Sequence, residues 1–258
     1  MEDFSCEGYY PLLVGMHEQE FQGYPILRDS RGDSIAERNP FYCELTGLYW
    51  AWKNQLETLD YIGLCHYRRF FSFDPDDDQW VLRSLDRQDL TEKRLSLDEL
   101  DTLMVDADII LPKPMIYPNN LRNHYKDNHR AEDLQQVFAI VGKLYPEYKV
   151  AMNKVFKQHA CWPYNMFICR KEVFADYMEW LFTILFELER RIEIPVDDAY
   201  QRRVFGFIAE RLLNVYVWHH NLRVKELPVI FFPNEGKQGH TVKDNFIYRT
   251  KRALLGGY

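Results

Sequence analysis

Tyr61-Ile-Gly-Leu-Cys-His-Tyr-Arg-Arg-Phe-Phe71 is the stretch on which the reading of this chain turns. Its first half, Tyr61 to Cys65, is a short apolar run of the kind that forms a buried strand. The run stops at His66-Tyr67-Arg68-Arg69, which brings one titratable ring and two fixed positive charges. In an open α/β sheet, ligands bind outside the carboxyl ends of the strands, so a site is expected here. Each guanidinium can fork onto phosphate oxygens, which makes a bound anion one reading of Arg68 and Arg69. Pairing with acidic neighbours at the sheet edge is the other.

Working outward, Asn39 to Asn54 precedes this strand. Leu45, Leu48, Tyr49 and Trp52 recur there at helical spacing, with Asn39 as cap and Pro40 in the first turn. Before it, Pro11 to Gly15 reads as a short strand and Arg28 to Ser34 as a polar loop. After it, Asp74-Pro-Asp-Asp-Asp78 forms an acidic loop, either solvated or able to hold a divalent cation. Leu97 to Val105 predicts a helix and Ala107 to Pro112 a second buried strand. The polar segment from Pro112 to Asp133 is too long for a simple connector and reads as a functional loop. A helix through Leu134, Val137, Phe138 and Val141 follows, then a strand over Tyr164 to Cys169. Helices over Glu172 to Arg191 and Gln201 to Trp218 precede a last strand, Leu227 to Phe232. Strands alternating with helices predict one α/β domain over residues 1–235 with a mostly parallel sheet, trailed by a basic tail at 236–258.

The 258 residues are 47% hydrophobic and 28% charged, which supports a substantial core. A formal net charge of -7 argues against a dedicated nucleic-acid binder. Aromatic residues reach 16%, suiting either sugar stacking or dense core packing. Cys6, Cys43, Cys65, Cys161 and Cys169 are odd in number and include no C-x-x-C pair, so free thiols in a reducing cytoplasm are expected. The first residues carry no signal-peptide pattern, and the longest apolar run, Trp180 to Phe186, is too short to cross a bilayer.

Three blocks together carry a resemblance. They are Asn39-Pro-Phe-Tyr-Cys-Glu-Leu-Thr-Gly-Leu-Tyr-Trp-Ala-Trp-Lys-Asn54, the 61–71 stretch, and Gly206-Phe-Ile-Ala-Glu-Arg-Leu-Leu-Asn-Val-Tyr216. From about Tyr10 to Val229 the chain resembles bacterial capsular and exopolysaccharide glycosyltransferases, first catalogued as a domain of unknown function. Some members are galactofuranosyltransferases. The resemblance implies a GT-A-like, Rossmann-type fold and transfer of a sugar from a nucleotide-sugar donor, with UDP-galactofuranose one example. The implied acceptor is a lipid-linked polysaccharide repeat unit. Many GT-A enzymes end the strand equivalent to 61–65 in a metal-holding D-x-D. Here His66 to Arg69 stands in that place, and two guanidinium groups can neutralise a leaving diphosphate as a divalent ion would. Metal-independent chemistry without a cofactor is therefore expected. The family's first strand, ending in a Thr-His-Lys-like segment, has no counterpart ahead of Tyr10. That leaves open a non-catalytic nucleotide- or carbohydrate-binding paralogue.

The resemblance also implies roles for single residues. Inverting transfer needs a base for the acceptor hydroxyl, and Glu210 stands where such enzymes often place a carboxylate, with a pairing to Arg211 as the alternative. His66, Arg68 and Arg69 complete the catalytic set. Asp33, Asn39, Glu44 and Arg203 are candidates for the donor side. Against these stand a turn aspartate, a helix cap, a charge at a helix N-terminus, and a pairing of Arg203 with Asp197 or Asp198. His124, Tyr125 and Asn165 are candidates for the acceptor. The basic tail, with Lys243, Arg249, Lys251 and Arg252, could rest on the cytoplasmic face of an anionic membrane.

Overall fold

The computed structural model describes residues 8–17, 26–74, 81–83 and 97–232. Cys6, Asp76 to Asp78 and the 236–258 tail lie outside them. The main sheet has four strands in the order β10-β6-β9-β3. These are β3 (Tyr61–Leu64), β6 (Ile109–Pro112), β9 (Phe167–Arg170) and β10 (Val224–Leu227). β6 and β10 pair in parallel, whereas β9 runs antiparallel to both β6 and β3. The sheet is thus mixed, against the expectation of a mostly parallel one. A parallel neighbour requires a crossover that returns the chain to the starting edge. Before β9 no such return is made: β8 (Ala160–Cys161) pairs with β7 (Met115–Ile116), just past the carboxyl end of β6. The chain therefore enters β9 from the edge at which β3 and β6 leave.

Side-chain alternation along these strands builds two cores. Ile109, Leu111, Phe167, Cys169 and Ile62 face the larger one. It is filled by helices α2 (Leu45–Asn54), α5 (Ala131–Leu144), α6 (Lys149–Val155), α7 (Lys171–Glu189) and α8 (Val204–His219). Ile110, Ile168 and Met166 face the smaller core with Leu100 and Met104 at helix α3 (Leu97–Leu103). Phe71 and Val229 join them from a second sheet, in which β11 (Val229–Phe231) lies between β4 (Arg69–Phe71) and β5 (Val81–Arg83). A fully buried side chain such as Ile110 or Leu111 contributes about 1.5–3 kcal/mol.

Two expected elements divide. The Asn39–Asn54 helix breaks into α1 (Asn39–Tyr42) and α2 because Cys43 takes a left-handed φ of 53°. The last strand, expected over Leu227 to Phe232, is broken at Pro228: its later part is β11, and Leu227 instead ends β10, which begins at Val224 ahead of the expected start. The polar segment after Pro112 is β7 followed by helix α4 (Leu121–Asn128), whose cap is Asn120: its side chain accepts from the Asn123 amide at 2.9 Å. A pair of short strands, β1 (Leu12–Leu13) and β2 (Leu27–Arg28), stands beside α2.

Candidate active site

At the carboxyl end of β3 the chain reverses at once. His66 and Arg69 exchange both backbone hydrogen bonds, at 3.1 and 3.0 Å, leaving Tyr67 and Arg68 at the tip of a two-residue hairpin. Tyr67 is 77% exposed there. The Arg69 guanidinium lies 4.4 Å from the Tyr164 ring and 5.3 Å from that of Phe231. That of Arg68 lies 4.8 Å from Tyr67 and 5.9 Å from Phe231. Aromatic faces attract both cations without neutralising them. Among the described residues neither arginine forms an ion pair with a carboxylate.

Opposite the hairpin stands the turn that feeds β9. Leu64 is in register with Phe167, which sets His66 against Tyr164 and Asn165. The His66 Nε2 lies 2.6 Å from the Tyr164 carbonyl oxygen. A carbonyl only accepts, so Nε2 carries the ring proton and Nδ1 is the basic nitrogen. The Tyr164 amide donates to Glu210 Oε2 at 2.7 Å. Asn165 Nδ2 donates to Glu44 Oε1 at 2.8 Å and to the Gly206 carbonyl at 3.1 Å. One turn thus joins His66, Glu44 and Glu210, which come from three separate elements.

Glu210 uses its other oxygen, Oε1, to accept from Arg211 at 2.9 Å. The pairing considered as its alternative role is therefore present. The Arg211 side chain is only 5% exposed. Burial works most strongly against its charge, and the Glu210 carboxylate together with Cys161, Tyr117 and Tyr125 outweighs that cost. Arg211 also donates to the Phe207 carbonyl at 3.0 Å and approaches His124 Nδ1 at 3.5 Å. Burial first, and then Arg211, push the His124 imidazole below its ordinary value, towards the neutral form.

The remaining candidates separate. Glu44 directly precedes α2 and is joined to the turn. Arg203 donates through Nε to Cys43 Sγ at 3.2 Å, beside Glu44; Asp198, considered as its partner, instead accepts from the Tyr200 and Gln201 amides. Asn39 is not the expected cap, because the helix begins at Asn39 itself after Arg38. Its Nδ2 instead ties the Cys43 carbonyl at 2.8 Å and Thr46 Oγ1 at 3.3 Å, across the break between α1 and α2. Asp33 is bound to Asn54 and Tyr49 at the far end of the ten-residue α2, roughly 15 Å from Glu44 at 1.5 Å per residue. Tyr125 corrects the acceptor assignment. It faces inward on α4 and is fully buried, so its ring has no surface to offer an acceptor sugar.

A model of the family described as a domain of unknown function, DUF4422, matches residues 2–221. The chain belongs to this family. Among curated proteins none matches. A solved structure described as apo WbbM, a bifunctional glycosyltransferase, is similar at 37% identity with a TM-score of 0.78. The likeness covers 90% of this chain and 43% of that one, so the DUF4422 chain spans less than half the length of its structural neighbour.

Two features of this DUF4422 chain had escaped the sequence reading. Asp29 lies fully buried, accepting from the Gly15 amide at 2.9 Å, and burial raises its carboxyl above the usual range. Within a loop of Arg, Asp, Ser and Gly it carried no signal of its own. The Tyr164-Asn165 reversal, with φ of 76° and 54°, had half a signal: asparagine tolerates the left-handed region, whereas tyrosine rarely enters it. Among the described residues no group of three or more His, Cys, Asp or Glu side chains is arranged to hold a metal ion.

Proposed function

We propose that this DUF4422 chain is a glycosyltransferase that moves a sugar from a nucleoside-diphosphate donor to a hydroxyl of a carbohydrate acceptor. The observation that carries the reading is the hairpin at the carboxyl end of β3. It presents two guanidinium groups on aromatic faces, with no carboxylate partner among the described residues. The likeness to a glycosyltransferase supports the same reading. Arg68 and Arg69 bind the donor diphosphate and take up the charge that grows on it as the glycosidic bond breaks. In an inverting displacement the acceptor oxygen bonds to the anomeric carbon as the carbon–phosphate oxygen bond breaks. The electron pair leaves with the nucleoside diphosphate, and the hydroxyl proton passes to a base.

Glu210 was the base expected from the sequence. Both of its oxygens already accept hydrogen bonds, from Tyr164 and Arg211, which suits a support better than a proton acceptor. His66, oriented through Nε2, holds Nδ1 as its accepting atom and takes the base role in this proposal. UDP-galactofuranose as donor and a lipid-linked repeat unit as acceptor, reached from the cytoplasmic membrane face, are the finer form of the reading. The test is a nucleotide-sugar screen by thermal stabilisation, followed by transfer to candidate acceptors. A donor should raise the melting temperature and be consumed. Stabilisation by UDP with no transfer from any donor would favour the non-catalytic paralogue.

A further inference from the structure

Two adjacent residues other than glycine, Tyr164 and Asn165, both hold left-handed backbone conformations. Such conformations are strained and persist only where the surroundings over-determine them. Nothing in local sequence offsets this cost at Tyr164, an aromatic residue in a region that suits glycine. What surrounds the turn is the candidate site. The Tyr164 carbonyl accepts from His66, its amide donates to Glu210, and its ring underlies Arg69. Asn165 is 3% exposed and its amide grips Glu44 and the Gly206 carbonyl. Each of these contacts needs the backbone to turn at this place: an extended Tyr164 would point its amide and carbonyl into strand pairing.

We infer that the Tyr164-Asn165 turn is the positioning element of the site, a strained clamp that sets His66, Glu44, Glu210 and Arg69 in one arrangement at a cost to stability. The inference rests on the proposed glycosyl transfer for its kinetic readout. Its structural readout is independent of that reading. Neither residue touches the reacting atoms in this account; both act through the side chains they hold.

The test compares Tyr164→Gly with Tyr164→Ala. Both remove the ring equally, so the pair isolates the backbone. At an ordinary conformation alanine is the more stable of the two; at a φ of 76° the order inverts. Tyr164→Gly should therefore melt above Tyr164→Ala, yet show a kcat about tenfold lower as the turn gains freedom, with KM for the donor little changed. Tyr164→Phe, which keeps the ring and the backbone constraint, should restore turnover. Should both small variants fail to fold, the wild-type protein still decides the point. Nitrogen chemical shifts of His66 should show the proton on Nε2. Tyr164→Gly melting below Tyr164→Ala, equal kcat for the two, or a proton on His66 Nδ1 would each overturn the clamp. The Nε2 tautomer in the wild-type protein and the inverted melting order of the two variants, with no sugar transferred by the wild type, leave the clamp standing and remove the functional reading.

Discussion

Glu210 is the residue at which support and catalysis make opposite predictions. If it holds the turn and balances Arg211, Glu210→Gln leaves a nearly buried guanidinium uncompensated. Urea denaturation should then show a loss of about 3 kcal/mol, at the low end for a broken buried pair because Glu210 keeps 19% exposure. A Gln variant that is as stable as wild type but turns over 10²–10⁴-fold more slowly would return the base role to Glu210. His129 makes a second prediction at this scale. Burial, and then Arg211, lower it to about 4, so the folded protein keeps it neutral where an unfolded histidine is already protonated. The unfolded state thus binds the extra proton between pH 6.5 and 4, and stability is lost as pH falls through that window. Discounted for its partial exposure, the loss is about 1–2 kcal/mol, and His129→Gln should flatten the pH dependence of the melting temperature. At this scale the sequence was legible where chemistry is abrupt. The step from an apolar strand to His66, Arg68 and Arg69 marked the hairpin at the end of β3, and His66, Glu44, Asn165 and Glu210 share one hydrogen-bond network there. It was illegible for Tyr125 and His124, neighbours on one helix. Only the rotation of α4 decides that the first is sealed in the core while the second, its ring 4.0 Å from Tyr117, reaches Arg211.

Among the elements, β3 depends on Gly63. A Cβ there would fall 2.3 Å from the Phe167 carbonyl oxygen and 2.8 Å from the Ile168 side chain. Real contacts of this kind do not form, so β3 or β9 must shift. Gly63→Ala should cost about 1–3 kcal/mol in chemical denaturation and, by displacing His66 from Tyr164, depress turnover as well. Loss of neither would show that the strand pair accommodates a methyl group without moving the hairpin. Strands and long helices were readable here because their apolar periodicities run over many residues: β6, β9, α7 and α8 all stand close to their expected places. What failed was punctuation. Asn120 before Leu121 is a cap signal that turns the supposed loop into α4, and Cys43 breaks a pattern that otherwise continues unbroken from Asn39 to Asn54. A break held by side-chain contacts, here Asn39 on the Cys43 carbonyl and Arg203 on the Cys43 sulfur, leaves no trace in periodicity.

For the whole molecule, strand order in a main sheet whose antiparallel β9 is fed from the edge at which β3 and β6 end was beyond the sequence, since alternation of elements fixes neither direction nor neighbour. That edge is where donor binding should act on global stability. UDP at a hundred times its dissociation constant should stabilise the fold by about 2.7 kcal/mol. The rise in melting temperature should survive EDTA if Arg68 and Arg69 supply the charge. A rise abolished by EDTA and restored by manganese would assign that charge to a metal ion. The hairpin itself is fastened from both sides. β3 runs through it into β4, β10 runs through Pro228 into β11, and the Phe232 amide donates to the Arg68 carbonyl at 3.0 Å. The hairpin backbone that carries the arginines therefore cannot swing outward unless strand pairing in the second sheet gives way. Donor capture should accordingly follow a single kinetic phase in stopped-flow, with no slow isomerisation after encounter. The amide protons of Arg69 and Phe232 should exchange with deuterium only when the molecule opens on the scale of a whole sheet.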